Sequence, residues 1–171
     1  MGRHKQKYEP CMMDTKILFR LALGDISPWV VRCVESKQGE DGKKELHLDL
    51  DFPPGSTFSN RRGEACKAHD TSNHTWRHLN FFEHRCYLHA RVPRVKSADG
   101  QVETVTAPWA SSNNGFTLLF EAFVLALIES EMPVSNVAAL VGEYDQRIWG
   151  VFHRHAEDRT ARMQRTCPAS L

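Results

Sequence analysis

The sequence predicts an α+β chain with its strands first and its helices last, and three observations carry that reading. Leu46 to Phe52 alternates strictly, with Leu46, Leu48, Leu50 and Phe52 on one face and His47, Asp49 and Asp51 on the other, the period-two mark of a half-buried strand. From Thr117 to Glu131 the apolar period becomes helical. Between them lie Pro108-Trp109 and the small polar run Ala110 to Gly115, which set a β-rich module at 14–109 apart from a small helical module at 110–165.

Each element follows from local chemistry. Asp14 to Leu23 places apolar residues at 17, 18, 19, 21 and 23 behind an Asp14 N-cap, and Gly24 stops this short helix. Beyond the Ser27-Pro28 break, Trp29 to Val34 is β-rich, and the strand from Leu46 ends at Pro53-Pro54-Gly55. Residues 59–74 are polar without apolar periodicity and read as a loop or an eroded module. Strands resume at Thr75–Leu79, Arg85–Val92 and Val102–Ala107, the last two joined by the turn residues Ser97-Ala98-Asp99-Gly100. After the Thr117 helix, Pro133 suits the first turn of the next one, where its missing N–H costs nothing.

Composition narrows the function classes. With 171 residues, 41% of them apolar, and 22 basic against 21 acidic side chains, the chain is too apolar and too neutral to be wholly disordered. No stretch reaches the roughly 18–20 apolar residues of a membrane helix, since Phe116 to Ile128 is broken by Glu121. The basic start lacks an apolar segment behind it, and Gln6 replaces the Ser or Thr of a myristoylation signal, so a cytoplasmic protein without a membrane partner is expected. Cys11, Cys33, Cys66, Cys86 and Cys167 then read as reduced thiols, and the Asn73-His74-Thr75 sequon as idle.

The near-neutral total conceals segregation. Glu35 to Phe58 holds six carboxylates against three lysines, whereas Arg61 to Lys96 holds eight bases against three acids, together with His69, His74, His78, His84 and His89. A local positive field of that kind can meet phosphates.

The helical module reads as a helix-turn-helix. Two helices crossing steeply through a tight turn need Gly at the turn and a small residue four positions earlier, which Gly142 and Ala138 supply. Val137 and Val141 then face inward from the first helix, and Ile148 and Val151 from the second. That leaves Tyr144, Asp145, Gln146, Arg147, Trp149, Gly150 and His153 outward, with Gln146 and Arg147 suited to base edges and His153 and Arg154 near enough for phosphates. Two alternatives stand beside this reading. Helical hairpins of this composition also occur in bundles that bind nothing, and Trp149 also suits capping the small core.

Cys66-x-x-His69 and Cys86-x-x-His89 have the spacing of zinc ligands. In a strand, however, Cys86 and His89 point to opposite faces, and the chain has no Cys-x-x-Cys knuckle, so histidines on a solvated basic face are the simpler reading and no metal ligand is assigned. No catalytic arrangement of Ser, His, Asp or Cys stands out, and no Gly-rich phosphate loop.

The runs His69-Asp70-Thr71, Thr75 to His84 and Tyr87 to Lys96 resemble the N-terminal region of the ISL-three family of insertion-sequence transposases. Leu50 to Ser56, Pro108-Trp109-Ala110, Gly115 to Ala122 and Met132-Pro133-Val134 through Trp149 add to the likeness, which extends from about Ile17 to His155. The resemblance implies a zinc-ribbon-like β module, a helix-turn-helix and a following DDE-type catalytic domain. The family's zinc knuckles fall around Ser59 to Gly63 and Lys96 to Gly100, where Ser59, Arg62 and Ser97 replace the usual Cys, so a module folding without zinc or other cofactor is expected. The chain ends at Leu171, before the catalytic carboxylates of such an enzyme, so a DNA-binding fragment without catalytic activity is expected.

The partner implied is double-stranded DNA at transposon ends. Phosphate neutralisation is expected from Arg77, Arg85, Arg91, Arg94 and Lys96, and base reading from Gln146 and Arg147 with Tyr144, His153 and Arg154 beside them. The rival reading is a remnant that associates with itself or with full-length transposase. An enzyme working through zinc is a third, which stoichiometric metal in the purified protein would mark.

Overall fold

A computed structural model describes residues 15–111 and 115–166. The first helix, α1 (Thr15–Leu23), ends at Gly24, whose φ of 74° a side chain would resist; the expected Asp14 cap lies outside the described residues, as do Cys11 and Cys167. After a cis Ser27–Pro28 peptide, the chain forms β1 (Val30–Gln38), β2 (Lys44–Asp51), β3 (Thr57–Ser59), β4 (Ala65–Phe81), β5 (His84–Lys96) and β6 (Val102–Thr104). The sheet runs β1-β2-β5-β4-β3, with β6 also on β5. All pairs are antiparallel except β2 with β5, which places Glu45 beside Arg85 and Leu50 beside Ala90.

One expectation is corrected here. Residues 59–74 are not a loop: they hold the end of β3, a tight turn and the first half of β4. Cys66, Ala68, Asp70 and Ser72 alternate with the more exposed Lys67, His69, Thr71 and Asn73, so the period is two, but neither face is apolar enough to reveal it. Pairing with β5, from Ala68 opposite Val95 to Phe81 opposite His84, holds this segment extended.

The apolar interior forms two clusters. In the first, Val31, Leu48, Leu50, Trp76, Leu88, Ala90 and Val92 meet Phe19, Ile26, Trp29, Phe52, Phe58 and Trp109. Trp29 packs edge-on against Trp109 at 5.4 Å between ring centroids and donates its indole N–H to the Arg91 carbonyl at 3.0 Å. The second cluster belongs to α2 (Leu118–Glu129), α3 (Val134–Val141) and α4 (Asp145–Thr166), with Phe116, Phe120, Val124, Val137, Ala138, Val141, Ile148 and Val151 buried. Pro133 stands one position ahead of its expected place, as the N-cap of α3. No helix among the described residues is long and apolar enough to cross a membrane.

Candidate nucleic-acid interface

The turn between α3 and α4 is built from its sequence. Gly142 takes the left-handed conformation (φ 71°, ψ 41°), and the Glu143 N–H reaches back to the Ala138 carbonyl at 2.9 Å. Val137, Ala138, Val141, Ile148 and Val151 are all buried, as the spacing requires, and each larger apolar side chain among them contributes roughly 1.5–3 kcal/mol. α4 then begins with the Arg147 and Ile148 N–H groups on the Tyr144 carbonyl. Tyr144, Gln146 and His153 lie exposed along its outer side, and Trp149, 44% exposed, stacks on His153 with centroids 5.5 Å apart.

Arg147 is exposed but turned back onto its own module. Its guanidinium donates to Glu143 at 2.6 Å and lies 4.2 Å over the Phe116 ring. Arg154 is partly covered and paired with Glu121 at 3.3 Å.

Arg77 is corrected outright. With 1% of its surface exposed it meets no phosphate; it is an interior brace. From β4 it donates to the carbonyls of Val141 (2.8 Å) and Cys86 (3.3 Å), to the His78 carbonyl and to Asn80 Oδ1, and its Nε lies 3.4 Å from Glu143 without a hydrogen bond. Val141 ends α3, so this buried cation caps that helix and anchors the turn to the sheet. Beside it, the Arg77 N–H donates to the Gly115 carbonyl and the Thr117 N–H to the Arg77 carbonyl. Thr117 caps α2, accepting from the Phe120 N–H at 3.3 Å, and its hydroxyl meets His78 Nδ1 at 2.9 Å. Burial, then the Arg77 charge, pushes His78 down to about 4, so this imidazole is neutral and belongs to no solvated basic face.

Arg85, Arg91 and Arg94 are exposed to varying degrees but paired. Arg85 contacts Asp41 and Glu45, Arg91 donates to Asp51 at 2.7 Å, and Arg94 forms two bonds to Asp70, holding that carboxyl below its usual range. Arg85 and Arg91 thus meet carboxylates of the acidic stretch, whereas Arg94 is paired within the basic stretch itself. Lys96 is exposed, with no carboxylate partner among the described residues. Arg85 alone of these sits by the helical turn, its Cδ 3.6 Å from the Cβ position of Gly142.

The cysteine and histidine candidates do not converge. Cys86 faces the core with Leu88, its thiol pushed up to about 11 by burial, while His89 faces the other way. There His89 Nε2 lies 2.8 Å from His47 Nδ1 and His89 Nδ1 lies 2.9 Å from Thr75 Oγ1. Cys66 lies at the far end of the β4–β5 hairpin.

Sequence reasoning missed two arrangements. One is Glu143, shared by Arg77 and Arg147: its i,i+4 spacing to Arg147 was a local signal, whereas nothing local points to Arg77. The other is a clip between two turns, Asn60 to Gly63 and Ser97 to Gly100, each closed by an N–H from a positive-φ glycine to the carbonyl three residues before. Buried Asn60 accepts from the Arg62 and Glu64 N–H groups at 3.0 and 2.8 Å and donates to Glu64 Oε2 at 2.6 Å and Ser97 Oγ at 3.2 Å, while Arg62 pairs with Asp99 at 2.8 Å. The repeated spacing of a polar residue and a glycine three positions on was the available signal.

Residues 61–96 match the zinc-finger of transposase IS204/IS1001/IS1096/IS1165, and residues 105–156 match the helix-turn-helix domain of transposase family ISL3. No curated protein and no solved structure matches the chain. The residues present do not fit the zinc that the first match implies: its two turns offer Asn60, Arg61, Arg62, Ser97 and Asp99, with a guanidinium bridging them and no thiolate or imidazole. Among the described residues no three His, Cys, Asp or Glu side chains are grouped to hold a metal ion. The two matched regions, one a β hairpin and the other a helix-turn-helix, are similar to the zinc-finger and helix-turn-helix domains of ISL3-type transposases.

Proposed function

We propose that this chain recognises double-stranded DNA at transposon ends, with α4 in the major groove. The observation that supports this best is the α3–α4 pair itself: a left-handed Gly142 turn over five buried positions, leaving one side of α4 uncovered. Gln146 and Arg147 read base edges, Tyr144 and His153 flank them, and Arg154 and Arg85 reach phosphates. For Arg85, Arg91 and Arg94 a phosphate replaces the present carboxylate, so each contributes less than a free cation. Arg85 and Arg94 are nine residues apart on one strand, roughly 30 Å, or about nine base pairs at 3.4 Å each. The duplex must therefore follow β5 for all of these to count.

The test is duplex retention against salt. Affinity falls with a log-log slope of about −0.9 per phosphate contact, and a flat response overturns the proposal. Arg147→Ala relaxes sequence preference, whereas Arg91→Ala weakens all sequences alike. A second reading, association with itself or with full-length transposase, draws on the exposed Leu118, Leu119 and Phe123 of α2. Light scattering that shows oligomers, with no duplex retained, favours it.

A further inference from the structure

Gly150 occupies an interior position of the 22-residue α4, where glycine is the least favourable helix former after proline. Nothing inside the chain requires it. Its φ is not positive, and a Cβ built there meets only Arg154 Nη1 at 3.9 Å, an ordinary contact with the end of a flexible side chain. The helix therefore carries a stability cost with no internal return.

The position explains what the glycine is for. Gln146, Gly150, His153 and Glu157 recur at helical spacing on one line, opposite the buried Ile148 and Val151. Trp149, stacked on His153, walls one flank of that line, while Arg147 and Arg154, each held by a carboxylate, stand on the other. From Gln146 to His153 the centre line carries no carboxylate. Glu157 ends it, because a phosphate approaching there is repelled. An α-helix with its side chains is about 10–12 Å across and the major groove about 12 Å wide, so a missing side chain on the leading line lets the helix axis seat deeper.

We infer that Gly150 is the point at which the backbone of α4 lies closest to the base-pair edges, an inference that rests on the DNA-reading role proposed for this helix. The consequence is an opposition between stability and binding at a single residue. Gly150→Ala raises the thermal midpoint by roughly 2–4 °C, as the helix gains a better former. It also lowers duplex affinity by roughly tenfold, since lifting the helix off the groove floor forfeits about one base contact. Thr160→Ala, an exposed change on the turn beyond Glu157, serves as the control that improves the helix past the acidic end of the line.

The experiment compares the full chain with both variants by thermal melting and by anisotropy on a labelled duplex enriched by the wild-type chain from a randomised pool. A Gly150→Ala variant that melts higher and binds more weakly, beside a Thr160→Ala variant that binds as wild type, supports the inference. Gly150→Ala binding as tightly as wild type overturns it while leaving DNA recognition by this chain intact. A wild-type chain that enriches no duplex overturns the DNA reading itself, and the inference with it.

Discussion

Replacing Arg77 by Met separates two accounts of the basic stretch. If Arg77 neutralised phosphate, its loss would weaken DNA binding and leave folding alone. Its surroundings argue the reverse. The side chain is 1% exposed, Glu143 is 5% exposed, and the guanidinium serves the carbonyls of Val141, Cys86 and His78. Met fills the volume but leaves those carbonyls unmatched and Glu143 dependent on Arg147 at the surface. Breaking a buried pair by removing one partner costs about 3–5 kcal/mol. At roughly 2–4 °C per kcal/mol for a chain of this size, Arg77→Met lowers the midpoint by about 6–20 °C. Adding Glu143→Leu removes the stranded carboxylate and recovers about 1–3 kcal/mol, a non-additivity that marks direct coupling. Circular dichroism melts give the stability terms, and duplex binding below the lowered midpoint gives the salt slope, which stays at its wild-type value. A midpoint shifted by less than about 2 °C, with a slope reduced by about 0.9, refutes the brace.

Further outcomes follow from the same geometry. Asn60→Ala removes the centre of the two-turn clip and costs about 2–3 kcal/mol in urea unfolding, whereas a chelator leaves the wild-type midpoint unchanged; a chelator-induced loss of stability contradicts the hydrogen-bonded clip. His78 has its folded value pulled from 6.5 to about 4, so the unfolded chain takes up its proton first. Its contribution is complete above pH 6.5 and declines toward pH 4, by roughly 3 kcal/mol at most. His89, also lowered by burial, adds in the same direction. His78→Gln flattens that decline in melts taken across the window, and an unaltered slope rules out this origin. Gly142→Ala forces a side chain into φ 71°, for a loss of about 1–2 kcal/mol by denaturant titration, although the space beside it is open to a methyl group; an unchanged midpoint contradicts the strain.

The parts legible in the sequence were those whose cause is local. The α3–turn–α4 hairpin depends on residues within about four positions of one another, so Ala138, Gly142, Ile148 and Val151 declare it directly. The alternation of Leu46 to Phe52 declares β2 because one face is apolar and the other acidic. β4 was illegible for the opposite reason: Cys66, Ala68, Asp70 and Ser72 are too small or polar to stand out, and the strand exists through its pairing with β5.

By itself the sequence determined the α+β order, the helical turn and the family motifs, because spacing along the chain is enough to specify them. Only the tertiary structure decided which charges remain available. Arg91 finds Asp51 forty residues away, Arg94 finds Asp70 across the hairpin, and Arg77 finds the end of α3 sixty-four residues on. Charge counting along a chain records how many cations a segment holds, whereas Coulomb attraction acts through space on whichever partner the sheet brings alongside. What read as a basic stretch is therefore mostly a set of cross-strand pairs, and the side of α4 around Gly150 is left uncovered.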